Sequence, residues 1–67
     1  MNKTELAGII RKRRADLKIT QSDLAEITGI GVRTLKRIEN GEGNITLEVL
    51  TKVLGVLGLK IEIVVKK

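Results

Sequence analysis

Residues 21–41 read QSDLAEITGIGVRTLKRIENG, two short amphipathic segments separated by glycines. Thr20 comes directly before this stretch, and with Asp23 it has the spacing of a helix N-cap and an acidic variant of the capping box. Gly29 is expected to end the first helix, because glycine takes a positive φ without strain. Residues 31–40 predict the next helix. The stretch therefore predicts two consecutive helices joined by a tight turn.

Small and apolar residues indicate how this helix pair packs. Ala25 is placed where the two helices cross, since only a small side chain lets their backbones approach. The side chains expected to lock the pair together are Leu24, Ile30, Leu35 and Ile38.

The stretch resembles the helix-turn-helix of the phage repressor and Cro family, also called XRE-like. The resemblance is carried by Thr-Gln at 20–21, Leu-Ala at 24–25, Gly29 and Glu-Asn-Gly at 39–41, and it covers the chain from Met1 to about Gly58. It implies a mainly α fold, a compact four-helix lambda-repressor-like DNA-binding domain.

One feature departs mildly from the family's usual order. Ile27 precedes Thr28 here, whereas the family more often places the apolar residue second. We expect this exchange to shift the packing of the turn but not the fold. The alternative interpretation of the whole motif is a generic helical hairpin that has no role in DNA binding.

The resemblance implies that the second helix of the motif enters the major groove of double-stranded DNA. The residues that it marks as base readers are Val32, Arg33 and Arg37. Arginine to guanine is the commonest specific contact, and valine can touch a thymine methyl group. For each position the alternative is a phosphate contact instead of a base contact.

Other polar residues of the motif are expected to hold the DNA backbone, assisted by amides at the helix N-termini. These residues are Gln21, Thr34, Lys36 and Asn40. Gln21 has the alternative of reaching a base, and Thr34 has the alternative of capping its helix locally.

Arg14 and Glu39 match family positions that form a buried ion pair between the first helix and the recognition helix. The resemblance gives this pair a structural role. The alternative for Arg14 is a phosphate contact. The rest of the basic run, Arg11 to Arg13, is expected to form a solvated face.

Two further helices are predicted on either side of the motif. The first covers Thr4 to Leu17, with Thr4 as its N-cap. The second covers Leu47 to about Leu57 and is capped by Thr46. This last helix is apolar on more than one side, so part of it is expected to face another subunit.

The tail predicts a strand, because Leu59 to Val65 alternates and is rich in β-branched residues. A lone strand leaves its backbone groups unpaired, so pairing with the same strand of a second copy, in a homodimer, is expected. The predicted dimer interface consists of Val53, Val56, Leu59, Ile61, Ile63 and Val65. The tail also looks like that of HipB-type antitoxins, whose C-terminal strands pair between subunits and whose dimer binds operator DNA and a kinase-like toxin.

Composition limits the possible functions of the chain. It has 67 residues, a net charge of +5, and no Phe, Tyr, Trp, Cys or His. A single domain is expected over 1–67, with the helix-turn-helix at 20–40 and a dimerisation helix and strand at 46–66. Without His or Cys, and with scattered carboxylates, neither an enzyme nor a metal or other cofactor is expected.

The positive charge favours a polyanionic partner. The longest uncharged stretch, Val53 to Leu59, is far shorter than the ~20 residues that span a bilayer, and no signal peptide is recognised at Met1 to Ala7. A cytoplasmic location is therefore expected. A basic peripheral membrane protein is the weaker interpretation, because the aromatic residues common in such anchors are absent.

These observations predict a homodimeric, sequence-specific transcription regulator, a repressor that binds a pseudo-palindromic operator. The alternative is an antitoxin of a HipBA-like pair that neutralises a toxin protein and regulates its own operon.

Overall fold

The computed structural model describes residues 1–66, so that Lys67, the last residue of the predicted domain, lies outside the described residues. Residues 1–66 form four helices, as predicted, and the bounds of these helices differ from the predicted ones only at terminal positions. The helices are α1 (Lys3–Asp16), α2 (Gln21–Thr28), α3 (Val32–Glu39) and α4 (Leu47–Val56).

Side-chain caps mark the beginnings of α1, α2 and α4. The prediction that Thr4 caps α1 is wrong: Asn2 is the N-cap, and its Oδ1 accepts a hydrogen bond from the Glu5 N–H at 2.8 Å. Asparagine competes well for this position, because its short side chain reaches the free amides of the first turn. The predicted cap of α4 is confirmed, since Thr46 Oγ1 accepts from the Val49 N–H at 3.1 Å.

The core is entirely aliphatic and lies where α3 packs against α1 and α2, and α2 packs against α4. With no aromatic side chain in the sequence, aliphatic residues must fill this space alone. The buried apolar residues are Ala7, Ile10, Leu24, Leu35, Ile38, Val53, Leu54 and Leu57.

Val53 corrects one expectation about the subunit interface. It is fully buried within a single chain, so it is a core residue and has no surface left for a partner. Val56 is half-buried and packs at the edge of the core. The face of α4 that remains open is instead marked by Leu47, whose side chain is 69% exposed.

The predicted strand at Leu59 to Val65 is not formed in this single chain, where residues 59–66 contain no strand. A strand requires a neighbour for its backbone groups, and the described part of the chain offers no second one. Leu59 still packs on the core, but Ile63 is 97% and Val65 91% exposed. Within residues 1–66 we find no helix with the length and apolar character needed to span a membrane.

Candidate DNA interface

The turn between α2 and α3 depends on the backbone conformation of Gly29. This residue has φ 74°, and its N–H donates to the Ala25 carbonyl at 2.9 Å, which closes the last turn of α2. A Cβ at this position would meet no atom within 4 Å. The positive φ, rather than lack of space, therefore favours glycine here.

Thr28 explains the unusual order of apolar and polar residues before this turn. Its hydroxyl donates to the Leu24 carbonyl at 2.7 Å and accepts from the Ile30 N–H at 3.2 Å. The neighbouring Ile27 is 61% exposed. The position that was expected to be apolar thus carries a hydroxyl that bridges the end of α2 and the turn, and the sequence alone did not predict this bridge.

The buried side of α3 carries an ion pair between its last residue, Glu39, and Arg14 of α1. The carboxylate, only 2% exposed, accepts from Arg14 Nε and from Arg14 Nη2, both at 2.9 Å. This bidentate geometry is the strong form of an arginine–carboxylate contact. The hydrogen bond to Glu39 raises the pKa of Arg14 above its ordinary value. The pair therefore joins α1 to α3 and neutralises the only carboxylate of α3.

Gln21 belongs to the same network, although it was expected at the DNA backbone. Its Nε2 donates to Glu39 Oε1 at 3.2 Å, and the side chain is half-buried. One carboxylate thus connects α1, α2 and α3. The amide orientation of Gln21 follows from this acceptor, because a carboxylate can only accept.

The run Arg11 to Arg13 is not simply the solvated face that was expected. Arg11 donates to the main-chain oxygen of Glu39 at the end of α3, and Arg13 Nε donates to the Leu57 oxygen after α4 at 2.7 Å. Both cations thus bind carbonyls at the negative ends of helices. Lys12 alone fits the expectation, with an 82% exposed side chain that pairs with Asp16 at 3.9 Å.

The outer surface of α3 carries the remaining predicted contact residues. Val32 is half-buried, whereas the other members of the set are exposed: Arg33, Thr34, Lys36, Arg37 and Asn40. None of the cations among them forms an ion pair with another residue of the described part of the chain.

Arg33 and Arg37 are four residues apart and therefore lie on the same side of α3. Like charges at this spacing destabilise a helix by about 0.2–0.5 kcal/mol. An anion bound across them relieves this repulsion. The surface is thus cationic, exposed and suited to phosphates or to the acceptor edges of bases.

Two short helices joined by a glycine turn, with a cationic second helix facing outward, define a helix-turn-helix DNA-binding domain. A family model described as helix-turn-helix, that of the Cro/C1-type or XRE family, matches residues 10–64. The chain therefore belongs to this family and is a DNA-binding transcription regulator. No curated protein matches the chain. The match is to the family as a whole and not to HipB-type antitoxins in particular.

Proposed function

We propose that the chain is a homodimeric repressor that occupies a pseudo-palindromic operator through α3. The observation that carries this proposal is the separation of charge around α3. Its carboxylate, Glu39, is buried and paired from below by Arg14, while the outer cations Arg33, Lys36 and Arg37 have no anionic partner within residues 1–66. A polyanion is the partner that this surface fits best.

In this proposal Arg33 and Arg37 read base edges and Val32 contacts a thymine methyl group. Guanidinium groups suit this role, because their fork matches the two acceptors of guanine. The backbone contacts are assigned to Gln21, Thr34, Lys36 and Asn40. Gln21 has a second task here, since its hydrogen bond to Glu39 ties the start of α2 to the helix that enters the groove.

The tail supports a second copy of the chain as the partner of this domain. Two open cavities of about 360 and 320 Å³ flank Leu59 and Ile61, and both are lined mainly by apolar residues. Ile61 and Ile63 remain 49% and 97% exposed beside them. Pairing two tails as an antiparallel ribbon satisfies their backbones, covers these side chains and adds a second reading helix. Successive major grooves would then be read about 34 Å apart.

A charge-matched pair of variants tests the DNA-binding surface. Arg33→Ala/Arg37→Ala and Lys12→Ala/Lys52→Ala each remove two exposed cations from helices, the first from α3 and the second from α1 and α4. Binding is measured on a duplex that the unaltered protein selects from a random pool. We expect the α3 variant to lose at least about 100-fold in affinity, because two direct contacts disappear.

The control variant should lose much less, and circular dichroism should show the same helical content in both. The salt dependence of binding adds an independent measurement. In a plot of log association constant against log salt concentration, the magnitude of the negative slope decreases by about 0.9 for each phosphate contact that is lost. Equal affinity losses in the two variants would refute the assignment of α3 as the reader.

The dimer is tested by single charges on opposite sides of the tail. Ile63→Asp places a carboxylate on the side assigned to the interface, whereas Val64→Asp places it on the other side. Sedimentation of the purified chain should show a weakened dimer for the first variant and an intact one for the second. If Ile63→Asp stays fully dimeric at micromolar concentration, the ribbon is wrong.

The antitoxin alternative assigns the exposed tail to a toxin protein as well as to a second copy. It is favoured by the tail's similarity to HipB-type proteins and by its exposed apolar side chains. If the unaltered chain is monomeric by sedimentation, a different protein partner becomes the better explanation. Co-expression with a kinase-like protein encoded beside it then provides the direct test.

A further inference from the structure

The loop after α3 contains a contact between Gly43 and the side chain of Arg37. A Cβ built on Gly43 would lie 2.9 Å from Arg37 Nη2 and 3.1 Å from its Cζ. The guanidinium group therefore rests directly against the backbone of this loop. This close approach is possible because Gly43 has no Cβ that would displace the guanidinium group.

The loop is tied to the rest of the domain from two directions. Lys3, the first residue of α1, donates from Nζ to the Gly43 main-chain oxygen and to Asn44 Oδ1, the latter at 3.4 Å. The Glu42 N–H donates to the Arg37 main-chain oxygen at 2.8 Å. Gly43 is thus a fixed support for the end of a long, flexible side chain.

We propose that Gly43 is a positioning residue that sets the direction of the Arg37 guanidinium and thereby the sequence preference at the base pair that Arg37 reads. The proposal rests on the proposed function, in which Arg37 reaches a base edge. A bidentate contact to guanine requires the planar fork in one orientation. A support on one side removes many competing rotamers before DNA binds, so less entropy is lost on binding.

A methyl group at position 43 is expected to displace the guanidinium and leave the fold intact, because the atoms it approaches are the far end of a flexible side chain. The same substitution also introduces a non-glycine residue at φ +72. Backbone strain must therefore be separated from the effect on Arg37.

Gly41 provides a matched control for the strain. It too has φ +72, but the nearest atoms to a Cβ there would be those of Thr4, at 3.5 Å, which is an ordinary contact distance. Gly41→Ala and Gly43→Ala should therefore lower the melting temperature by similar amounts. Only Gly43→Ala should alter the direction of the arginine.

The experiment selects bound sequences from a random duplex pool with the unaltered chain and with Gly43→Ala, Gly41→Ala, Arg37→Ala and Gly43→Ala/Arg37→Ala. We expect Gly43→Ala to reduce the preference by about fivefold to tenfold at the positions where Arg37→Ala abolishes it, consistent with the usual discrimination by one bidentate contact. Gly41→Ala should keep the original preference. In the Arg37→Ala background, Gly43→Ala should change nothing further.

Identical preferences for Gly43→Ala and Gly41→Ala overturn the positioning role while leaving the proposed function standing. An unchanged preference in Arg37→Ala instead refutes base reading by Arg37, and the positioning role with it. A second measurement needs no variant: NMR order parameters of the Arg Nε–H groups in the DNA-free protein. Arg37 should be more ordered than Arg33, and equal mobility of the two overturns the proposal.

Discussion

Arg13 lies across the end of α4, where its Nε donates a 2.7 Å hydrogen bond to the main-chain oxygen of Leu57. Leu57 is the C-cap of α4 and is fully buried, so water has little access to this side of the helix end. A cation from α1 thus satisfies a carbonyl of the last helix. The contact fastens the beginning of the chain to the element that leads into the tail.

We predict that Arg13→Met lowers the free energy of unfolding by about 1–2 kcal/mol, since a charge-assisted hydrogen bond and a favourable helix-dipole interaction are lost. Methionine keeps most of the apolar stem, so packing changes little. Lys12→Met is the control on the same helix and should change stability by less than about 0.5 kcal/mol, because its ion pair is exposed. Urea denaturation measures both, and equal losses would contradict the capping role of Arg13.

The ion pair of Arg14 and Glu39 predicts unequal effects for its two members. Arg14→Met leaves a carboxylate that is 2% exposed without its cationic partner, at a cost of about 3–5 kcal/mol. Glu39→Leu should cost less, because Arg14 is 21% exposed and can still be hydrated. A domain of this size has a total stability near the low end of about 5–15 kcal/mol, so Arg14→Met should be partly unfolded at 25 °C.

The double variant Arg14→Met/Glu39→Leu should recover most of the stability, since no buried charge remains. Thermal melts followed by circular dichroism provide the comparison. A double variant no more stable than Arg14→Met alone would show that packing around these side chains, rather than the stranded charge, dominates.

Thr28 gives a prediction about the turn of the motif. Thr28→Val keeps the shape of the side chain but removes the acceptor of the Ile30 N–H, and it should lower stability by about 1–3 kcal/mol. Thr28→Ser retains the hydroxyl and should lose less. The outcome that contradicts the bridging role is a valine variant as stable as the unaltered protein.

Asp23 introduces a dependence on pH at the start of α2. Hydrogen bonds from Thr20, that of its main-chain N–H first, lower the pKa of Asp23. Because the pKa of Asp23 is lower in the folded state, the stabilisation that its carboxylate provides is fully present above the unfolded-state pKa of about 3.9. This stabilisation is lost as the pH falls through the lower folded-state pKa. The melting-temperature difference between the unaltered chain and Asp23→Ala should therefore be constant near neutral pH and shrink below about pH 4.

Glu26→Ala is the matched control for this titration, because Glu26 is exposed on the same helix and lacks such hydrogen bonds within the described residues. At neutral pH it should lower the melting temperature less than Asp23→Ala does. A difference for Asp23→Ala that persists unchanged to pH 2 would contradict the charged capping box.

The parts of the fold that the sequence predicts are those determined by close neighbours along the chain. Thr20 and Asp23 cap the first turn of α2 and Gly29 ends its last turn, so each acts on close neighbours and their spacing is sufficient to place both ends of the helix. Arg13 and Leu57 are far apart in sequence, and their contact exists only because the fold of the whole chain brings α1 close to the end of α4. A charged residue such as Arg13 is predicted from the sequence to be exposed to solvent. That prediction fails here because the sequence pattern does not show the main-chain oxygen of Leu57, which the Arg13 side chain reaches.

The candidate site likewise has features that follow from the sequence and features that depend on the tertiary fold. The spacing of Arg33 and Arg37 places both on one side of a helix, and this follows from the sequence. The support of Arg37 by Gly43 does not follow, because it depends on how the loop returns over α3. Residues 59–66 form no strand in one chain, since the hydrogen bonds that define a strand require a second strand.

The arrangement of side chains around α3 has a consequence for evolution. The buried residues of α3, which are Leu35, Ile38 and Glu39, attach this helix to the rest of the domain. Arg33 and Lys36 are exposed and form no ion pair within residues 1–66. Descendants of a duplicated gene can therefore exchange the outward residues and acquire new target sites with little loss of folding stability. Repertoires of such regulators can diversify quickly while the frame beneath them stays the same.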